Sequence, residues 1–247
     1  MTEDAAAPGG PVPRAARIAY DAGKMADSDR LPDVGFRPVT PHEGLATLEE
    51  GGVVLPPGAR TSDSDPYEVA WVEVDEVLGR LGIAMAPGRH DRAGAVSWWR
   101  DLHADLRRLR YVHRADLLVT LLTDEELRDL GIANLADELD VHGLEAARLA
   151  IRDGGVPTPR QVDETMELLY DVVRRLRDGH TVVVHCRAGQ GRSGMLAAMA
   201  LAALGADPAD AIARVREVQP RAVETVGQEA YVEAAASAWL RRRLGDR

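Results

Sequence analysis

The chain has 247 residues and a mass of 26.7 kDa, which allows one large domain or one domain with a substantial extension. Its 45% hydrophobic and 28% charged residues exclude collagen-like, mucin-like and wholly disordered proteins. The net charge of −10 argues against a partner such as nucleic acid or an anionic membrane surface. A single cysteine, Cys186, excludes an internal disulfide, and we see neither a secretory signal nor an apolar run long enough to cross a membrane. We therefore expect a cytoplasmic protein.

The first quarter of the chain contains few signals of regular structure. Residues 1–14 are rich in Ala, Pro and Gly and predict a disordered tail. Residues 15–67 alternate short apolar pieces with turn clusters and predict a loop-rich lead. We expect the folded domain over residues 68–245. It opens with the alternating run EVAWVEV at 68–74 and with LGIAM at 81–85, which predict two strands and a hairpin.

The next segments predict a helix, a strand and a second helix. Residues 97–111 place apolar side chains, Trp98 among them, at helical spacing after a Ser97 cap. The continuous apolar run at 115–122 is typical of a strand buried on both faces. A short helix from Thr123 to Leu130 follows, with Glu126 at the capping-box position.

The second half of the domain predicts mostly helices around one strand. One predicted helix covers GLEAARLA at 143–150 and runs into Ile151. The others cover residues 158–179, 191–205, 207–218 and 227–243. The β-branched run TVVVHC at 181–186 predicts a strand. Strands that alternate with helices of this length predict an α/β fold. We expect a central, mostly parallel sheet flanked by helices on both faces.

The segment VVVHCRAGQGRSG at 182–194 carries the chemistry. Backbone N–H groups at a helix N-terminus have no partners inside the helix, and together with the helix dipole they attract anions. Gly189 and Gly191 allow a positive φ, so that successive N–H groups converge on one point. A phosphoryl group fits such a cradle. Its predicted phosphate-binding residues are Arg187, Ala188, Gly189, Gln190, Gly191 and Arg192.

Four side chains of this segment have predicted roles. Arg192 presents a planar fork that can hold two phosphoryl oxygens. Cys186 lies at the base of the cradle, where the field that attracts phosphate also favours the thiolate, so we expect it to be the nucleophile. Ser193 can donate a hydrogen bond to the sulfur, and His185 supports the loop through a backbone hydrogen bond.

The pattern H-C-x-x-G-x-x-R-S at 185–193 resembles the signature loop of the cysteine-dependent protein tyrosine and dual-specificity phosphatases. The nearest similarity is to the kinase-associated phosphatase branch, and it extends over residues 68–240. The segments that carry it outside the loop are RLGIAMAPGR at 80–89, WRDLHADLRRL at 99–109, LLVTLLTDEELRDLGI at 117–132, DGGVP at 153–157 and RAVETVGQEAYV at 221–232.

This resemblance implies hydrolysis of phosphomonoesters through a phosphocysteine intermediate, with a phosphorylated protein or peptide as the partner. Asp153 matches the aspartate that protonates the leaving oxygen. Gln228 resembles the glutamine that places the hydrolytic water in some members. The Lys-Asn-Arg-Tyr recognition motif of the tyrosine-specific phosphatases is missing from the sequence, which implies a shallower pocket open to phosphoserine and phosphothreonine. The mechanism needs neither a metal nor another cofactor.

Several alternatives stay open. Asp153 could be an ordinary turn residue before two glycines, and Gln228 a solvated residue at a helix start. The substrate could be an inositol phosphate, a lipid or a nucleotide. The protein could also be a rhodanese-type sulfurtransferase, or a phosphate-binding module without catalysis. Six of the histidines show no metal-ligand spacing along the chain; they are His42, His90, His103, His113, His142 and His180.

Overall fold

A five-stranded sheet with helices on both faces organises the described part of the chain. The structure is a computed structural model that describes Leu55 and residues 58–75, 77–91 and 96–245. These residues belong to the unit Leu55–Arg247. The predicted tail, and the predicted lead apart from Leu55 and residues 58–67, lie outside the described residues. None of the described helices is both long enough and apolar enough to cross a membrane.

The described strands are short and the helices vary from two to five turns. The strands are β1 (Ala70–Val72), β2 (Arg80–Ala84), β3 (His90–Asp91), β4 (Trp98–Trp99), β5 (Leu117–Thr120), β6 (Glu145–Arg148) and β7 (Thr181–His185). The helices are α1 (Leu102–Arg107), α2 (Asp124–Asp129), α3 (Leu135–Val141), α4 (Val162–Arg177), α5 (Gly191–Leu204), α6 (Pro208–Val218) and α7 (Val226–Gly245). A π-helical turn, Arg108–Val112, continues α1, and a 3₁₀ turn, Pro159–Gln161, precedes α4.

The central strand of the sheet is β7, the last strand in the chain. The strand order is β1-β2-β7-β5-β6, and β3 and β4 form a separate antiparallel pair. Both β2 and β5 run parallel to β7, with Val182 opposite Leu81 on one side and Leu117 on the other. Strand β6 is parallel to β5, and β1 is antiparallel to β2. The predicted hairpin and the predicted mostly parallel α/β sheet are both confirmed.

The two faces of the sheet are buried in separate hydrophobic clusters. Side chains alternate between the faces along each strand. Val182 and Val184 therefore join the cluster formed with α4 to α7, while Val183 joins the cluster formed with α1 to α3. Since both faces are covered, β7 reads as an unbroken apolar run rather than an alternating one. This burial fixes the end of β7, from which the Cys186 loop begins.

The helix predicted to start at Ser97 starts five residues later. Trp98 and Trp99 pair with Asp91 and His90 as β4, and the Asp101 side chain caps α1 by accepting a hydrogen bond from the Ala104 N–H, 2.7 Å away. The predicted Ser97 cap is therefore wrong. Asp is as good a cap as Ser, and two adjacent tryptophans suit a strand.

The predicted helix over residues 143–150 is also wrong. A helix, α3, ends before Gly143, which has a φ of +65°, and residues 145–148 form the edge strand β6. Ala, Glu, Leu and Arg are all good helix formers, but their preference is only a few tenths of a kcal/mol per residue. Pairing with the open edge of β5 gives these residues a parallel ladder of backbone hydrogen bonds, which outweighs that preference.

The other predicted elements are confirmed in type, with small shifts at their ends. Helix α2 has the predicted capping box, in which Thr123 and Glu126 exchange hydrogen bonds with each other's backbone. Helix α5 is buried along almost its whole length, packs against α6 and α7, and ends at Gly205 with a φ of +123°.

We expect Leu118→Ala to destabilise the protein by about 3 kcal/mol, because Leu118 is fully buried under α1 to α3 and truncation leaves a cavity. Leu78→Ala is the matched control, since Leu78 is 87% exposed and its loss should change stability by less than about 0.5 kcal/mol. Urea unfolding measures both. Equal losses would show that this face of the sheet does not carry the packing described.

Candidate active site

The loop between β7 and α5 surrounds the single cysteine. Cys186 follows the last residue of β7 and is buried. Its Sγ atom lies 3.4 Å from the Ser193 Oγ atom in the first turn of α5. A serine hydroxyl at this distance can donate a hydrogen bond to a thiolate. The structure thus brings Cys186, Ser193 and the N-terminus of α5 together, as the sequence predicts.

The two glycines of the loop are needed for different reasons. Gly189 has a φ of +71°, and a Cβ atom there would lie 2.6 Å from the carbonyl carbon of Ala84 in β2. Gly191 is the first residue of α5, so the positive φ predicted for it is wrong. A Cβ atom at Gly191 would instead lie 2.3 Å from a carboxylate oxygen of Glu224. Gly189 is required by its backbone angle, and Gly191 by the approach of another side chain.

Arg192 is buried at the centre of a polar network. Its Nη1 atom donates to Glu126 Oε2 at 2.7 Å and to the Ile151 carbonyl at 2.8 Å. Its Nη2 atom donates to Glu126 Oε1 at 2.8 Å and to Asp153 Oδ1 at 2.9 Å. The Nε–H of Arg192 is buried and has no hydrogen-bond partner among the residues that the structure describes. An unpaired buried donor costs free energy, so this N–H is suited to an anionic ligand.

Glu126 and Arg192 hold each other in their charged forms. Burial alone would raise the pKa of Glu126, but hydrogen bonds from Arg192 and Thr123 outweigh it and hold that pKa below its usual range. Burial lowers the pKa of Arg192, but the carboxylate of Glu126 and the charges of Cys186 and Asp153 leave it raised. The guanidinium is therefore a permanent cation in a fixed orientation.

Asp153 lies at the mouth of the site. Its side chain is 73% exposed and forms an ion pair with Arg192. The two following residues are glycines, and Gly154 has a φ of +66°. The structure thus places a carboxyl group, on a turn, beside the Nη2 edge of Arg192. Burial contributes little to holding Asp153 there, so its position depends on the neighbouring turn.

His185 supports the loop from beneath. The ring is fully buried, with Nε2 2.8 Å from Thr120 Oγ1 and Nδ1 3.3 Å from the carbonyl oxygen of Cys186. Burial lowers the pKa of His185 to about 4, against a weaker opposing effect of the Cys186 carbonyl. The imidazole is therefore neutral at pH 7 and fixes the backbone, as the sequence predicts, in addition to its contact with β5.

Gln228 connects the cysteine loop to the turn after Asp153. It is fully buried, and its Nε2 atom donates to the Gly155 carbonyl at 3.1 Å. Its Oε1 atom accepts from the Glu224 N–H at 2.9 Å, and the Glu224 carboxylate accepts from the Gly191 N–H at 3.0 Å. The alternative of a solvated residue is therefore wrong. Each polar atom of the Gln228 amide thus makes one hydrogen bond, and together they link the Glu224 segment to the turn after Asp153.

The remaining loop residues shape the approach to the site. Arg187 donates from Nε to Asp91 Oδ2 at 3.0 Å, and its carbonyl accepts from Arg89 Nη1 at 2.7 Å. The hydrogen bond to Asp91 raises the pKa of Arg187. Ala188 is exposed and Gln190 is half-buried. Arg187 is thus anchored to β3 rather than free to follow a substrate.

A cleft of about 560 Å³ opens beside Asp153 and Arg187. Four carboxylates and three guanidinium groups line it, so its charge is mixed rather than strongly basic. The lining residues are Thr123, Asp124, Glu125, Glu126, Arg128, Arg152, Asp153 and Arg187.

Two functional contacts escaped the sequence analysis. Glu126 was predicted only as a helix cap, but it also forms the buried pair with Arg192. Glu224 was not singled out, although it accepts the Gly191 N–H of the loop. Glu126 and Glu224 each lie more than 30 residues along the chain from the loop residue that they contact. An arginine buried at an active site requires a carboxylate partner, but this requirement does not identify the residue that supplies it.

Comparison with known proteins places this site in a family. The family model "Swiss Army Knife protein, DSP-PTPase phosphatase domain" matches residues 100–232. The PRL-1 phosphatase of Drosophila melanogaster is 37% identical over 87 residues, which are 35% of this chain and 49% of that protein. This chain thus matches about half the length of that relative. Cyclin-dependent kinase inhibitor 3 of Rattus norvegicus is 26% identical over 175 residues, which are 69% of this chain and 79% of that protein.

The fold comparison agrees. A crystal structure of kinase associated phosphatase, with its catalytic-site cysteine substituted to serine, is 23% identical and superposes with a TM-score of 0.63 over 71% of this chain and 97% of that one. Because the family match spans more than half of its residues, the chain belongs to the DSP-PTPase phosphatase domain family. That family consists of dual-specificity and protein tyrosine phosphatase domains, and the chain shares its fold with the kinase associated phosphatase structure.

We expect the buried and exposed partners of Arg192 to differ in their effect on stability. Glu126→Gln keeps the capping box but removes the charge opposite a buried guanidinium, and should cost about 2–3 kcal/mol. Asp153→Asn removes a solvent-exposed charge from the same guanidinium and should cost less than about 1 kcal/mol. Urea unfolding at pH 7 compares the two. Equal losses would contradict the network described.

We also expect His185 to make stability depend on pH. Its pKa is about 4 in the folded protein against an ordinary 6.5, so the unfolded chain binds more protons between these values. The contribution of His185 to stability is complete above about pH 6.5 and is lost as the pH falls, and the loss reaches about 3 kcal/mol by pH 4. Unfolding free energies at pH 7 and pH 4 test this, with His185→Asn as comparison. Parallel curves for the two proteins would refute it.

Proposed function

We propose that the protein hydrolyses phosphomonoesters on phosphorylated proteins, with Cys186 as nucleophile, Arg192 as phosphoryl ligand and Asp153 as general acid. The observation that carries the proposal is the buried, unpartnered Nε–H of Arg192, on a guanidinium whose other edge is fixed by Glu126. This N–H, the amides at the start of α5 and the Cys186 thiol belong to one loop. Such a loop is complementary to the planar phosphoryl transition state.

In the first step the Cys186 thiolate attacks phosphorus, an S–P bond forms and the P–O bond to the leaving group breaks. Asp153, protonated, donates its proton to the departing oxygen, which leaves as an alcohol or phenol. Arg192 and the loop amides stabilise the charge on the three equatorial oxygens. When the phosphoryl group pairs with Nε and Nη2, it competes with Asp153 for Nη2, which frees that carboxyl group to reach the leaving oxygen.

In the second step water attacks the phosphocysteine, Asp153 accepts a proton from the water, and the S–P bond breaks to return the thiolate. Ser193 donates a hydrogen bond to the sulfur and so stabilises it as a leaving group. Gln228 acts through position, because its hydrogen bond to the Gly155 carbonyl fixes the turn that carries Asp153. Each polar atom of the Gln228 amide makes one of these hydrogen bonds, which leaves a second N–H and a second lone pair that could contact the water.

Three features support a protein substrate. The cleft beside Asp153 has mixed charge, whereas inositol phosphates and lipid headgroups carry several negative charges and favour a basic site. The relatives at 25–27% identity are named cyclin-dependent kinase inhibitor 3. The net charge of −10 disfavours nucleic acid and anionic membranes. We place the enzyme in the reducing cytoplasm, where a thiolate nucleophile survives.

The test compares wild type, Cys186→Ser and Asp153→Asn on p-nitrophenyl phosphate and on a phosphoserine peptide, in EDTA with reductant. We expect Cys186→Ser to abolish both activities. Asp153→Asn should lower kcat by about 10²-fold or more for the peptide and by much less for p-nitrophenyl phosphate, because nitrophenolate leaves without a proton. A general acid predicts this difference between leaving groups, and a purely structural role does not.

Asp129→Asn is the matched control, since Asp129 is exposed on α2 and outside the cleft. Faster hydrolysis of an inositol phosphate than of any phosphopeptide would replace the protein substrate with a small-molecule one. A folded wild type that binds phosphate but hydrolyses nothing would refute the catalytic proposal and favour a phosphate-binding module.

A further inference from the structure

Three side chains far from the cysteine loop converge on the opposite helical face. His103 lies on α1, while Glu138 lies on α3 and His142 directly follows it. His103 Nδ1 is 3.2 Å from His142 Nε2 and 3.4 Å from Glu138 Oε2. One ligand atom from each of the three lies within 4.8 Å of the other two. Among the residues the structure describes, this is the cluster with the spacing of a metal site.

These separations match the edges of a coordination tetrahedron. Zinc binds imidazole nitrogen at about 2.0–2.1 Å and carboxylate oxygen at about 2.0–2.2 Å. Two donors on a tetrahedral ion at those bond lengths are about 3.3–3.5 Å apart. The two measured distances from His103 Nδ1 are therefore close to those required, and a cation could enter with small side-chain movements.

The carboxylate of the cluster is held from behind. Asn134 Nδ2 donates to Glu138 Oε1 at 3.0 Å, which leaves Oε2 turned towards His103. Glu138 is only 19% exposed, and His142 lies four residues after it, one helical turn further along the same face. A hydrogen bond to the outer oxygen of a ligating carboxylate is a typical second contact of metal sites.

We propose that His103, Glu138 and His142 form a binding site for a divalent cation of the zinc class. A set of two imidazoles and one carboxylate favours zinc, because magnesium and calcium bind oxygen ligands instead. His103 is 59% exposed, so the fourth position faces solvent and takes water or an external ligand. The bound ion links α1 to α3, and α3 leads directly into the edge strand β6.

The same contacts have a simpler interpretation without a metal. His103 Nδ1 could donate a hydrogen bond to His142 Nε2 and lie beside Glu138 as a surface ion pair. That arrangement predicts no specific cation affinity. No metal site was predicted here, since the histidines show no metal-ligand spacing along the chain, and His103 and His142 are 39 residues apart. Metal binding therefore distinguishes the two interpretations.

The experiment titrates Zn²⁺ into the full chain carrying Cys186→Ser, which removes the thiolate as a competing ligand, by calorimetry in a non-chelating buffer. We expect one equivalent to bind. His103→Gln, His142→Gln and Glu138→Gln should each weaken binding by more than about 10-fold, and Asn134→Ala by about 10-fold. Asp137→Asn is the matched control, because Asp137 is exposed on α3 beside Glu138 and should leave the affinity unchanged.

Two further measurements guard against variants that fail to fold. Zn²⁺ in 100-fold excess over its Kd should raise the Tm of the parent protein by about 5–10 °C, and EDTA should reverse the rise. Co²⁺ should give the visible d–d absorption of a tetrahedral site, which shifts in the Glu138→Gln variant. Absence of Zn²⁺ binding, or binding that survives both histidine substitutions in folded variants, would overturn the proposal.

Discussion

The buried guanidinium of Arg192 is the group on which the described site depends. A permanent cation inside a protein must be paired, because the free energy of removing it from water is large. Glu126 supplies the pair from α2, and the Ile151 carbonyl supplies a further acceptor from the segment after β6. The orientation of Arg192 therefore ties together the ends of three parallel strands. One N–H of the guanidinium is left without a partner in the described part of the chain.

Local sequence was enough to predict the parts of the site that lie on one short segment. The order of strand, glycine-containing turn and helix at 182–205 agrees with the structure, and so do the positions of Cys186 and Ser193. Such segments are predictable because a β-branched apolar run, a glycine in a tight turn and the start of a helix each leave a signal in neighbouring residues. For the same reason the capping box at Thr123 was recognisable from four residues.

The Ser97 cap was displaced by pairing with the nearby strand β3, but the remaining errors and omissions depended on partners distant in the chain. Strand β6 contains good helix formers and is extended because the edge of β5 is available to it. Glu224 reaches the Gly191 N–H from a segment 33 residues later. That segment includes Val223, a β-branched residue held at a φ of +55°, a conformation it adopts only within the complete tertiary structure. No periodicity in one sequence reports such contacts.

The order of strands has a consequence for how the protein is made on the ribosome. The first two parallel strands, β2 and β5, do not pair with each other, because each takes one side of β7. Until residues 181–185 have left the exit tunnel, the inner edges of β2 and β5 lack their native partner. The nascent chain thus carries an unpaired strand edge from the emergence of β2 until that of β7. Completion of the sheet and creation of the nucleophile's loop then coincide, as Cys186 is the very next residue to emerge.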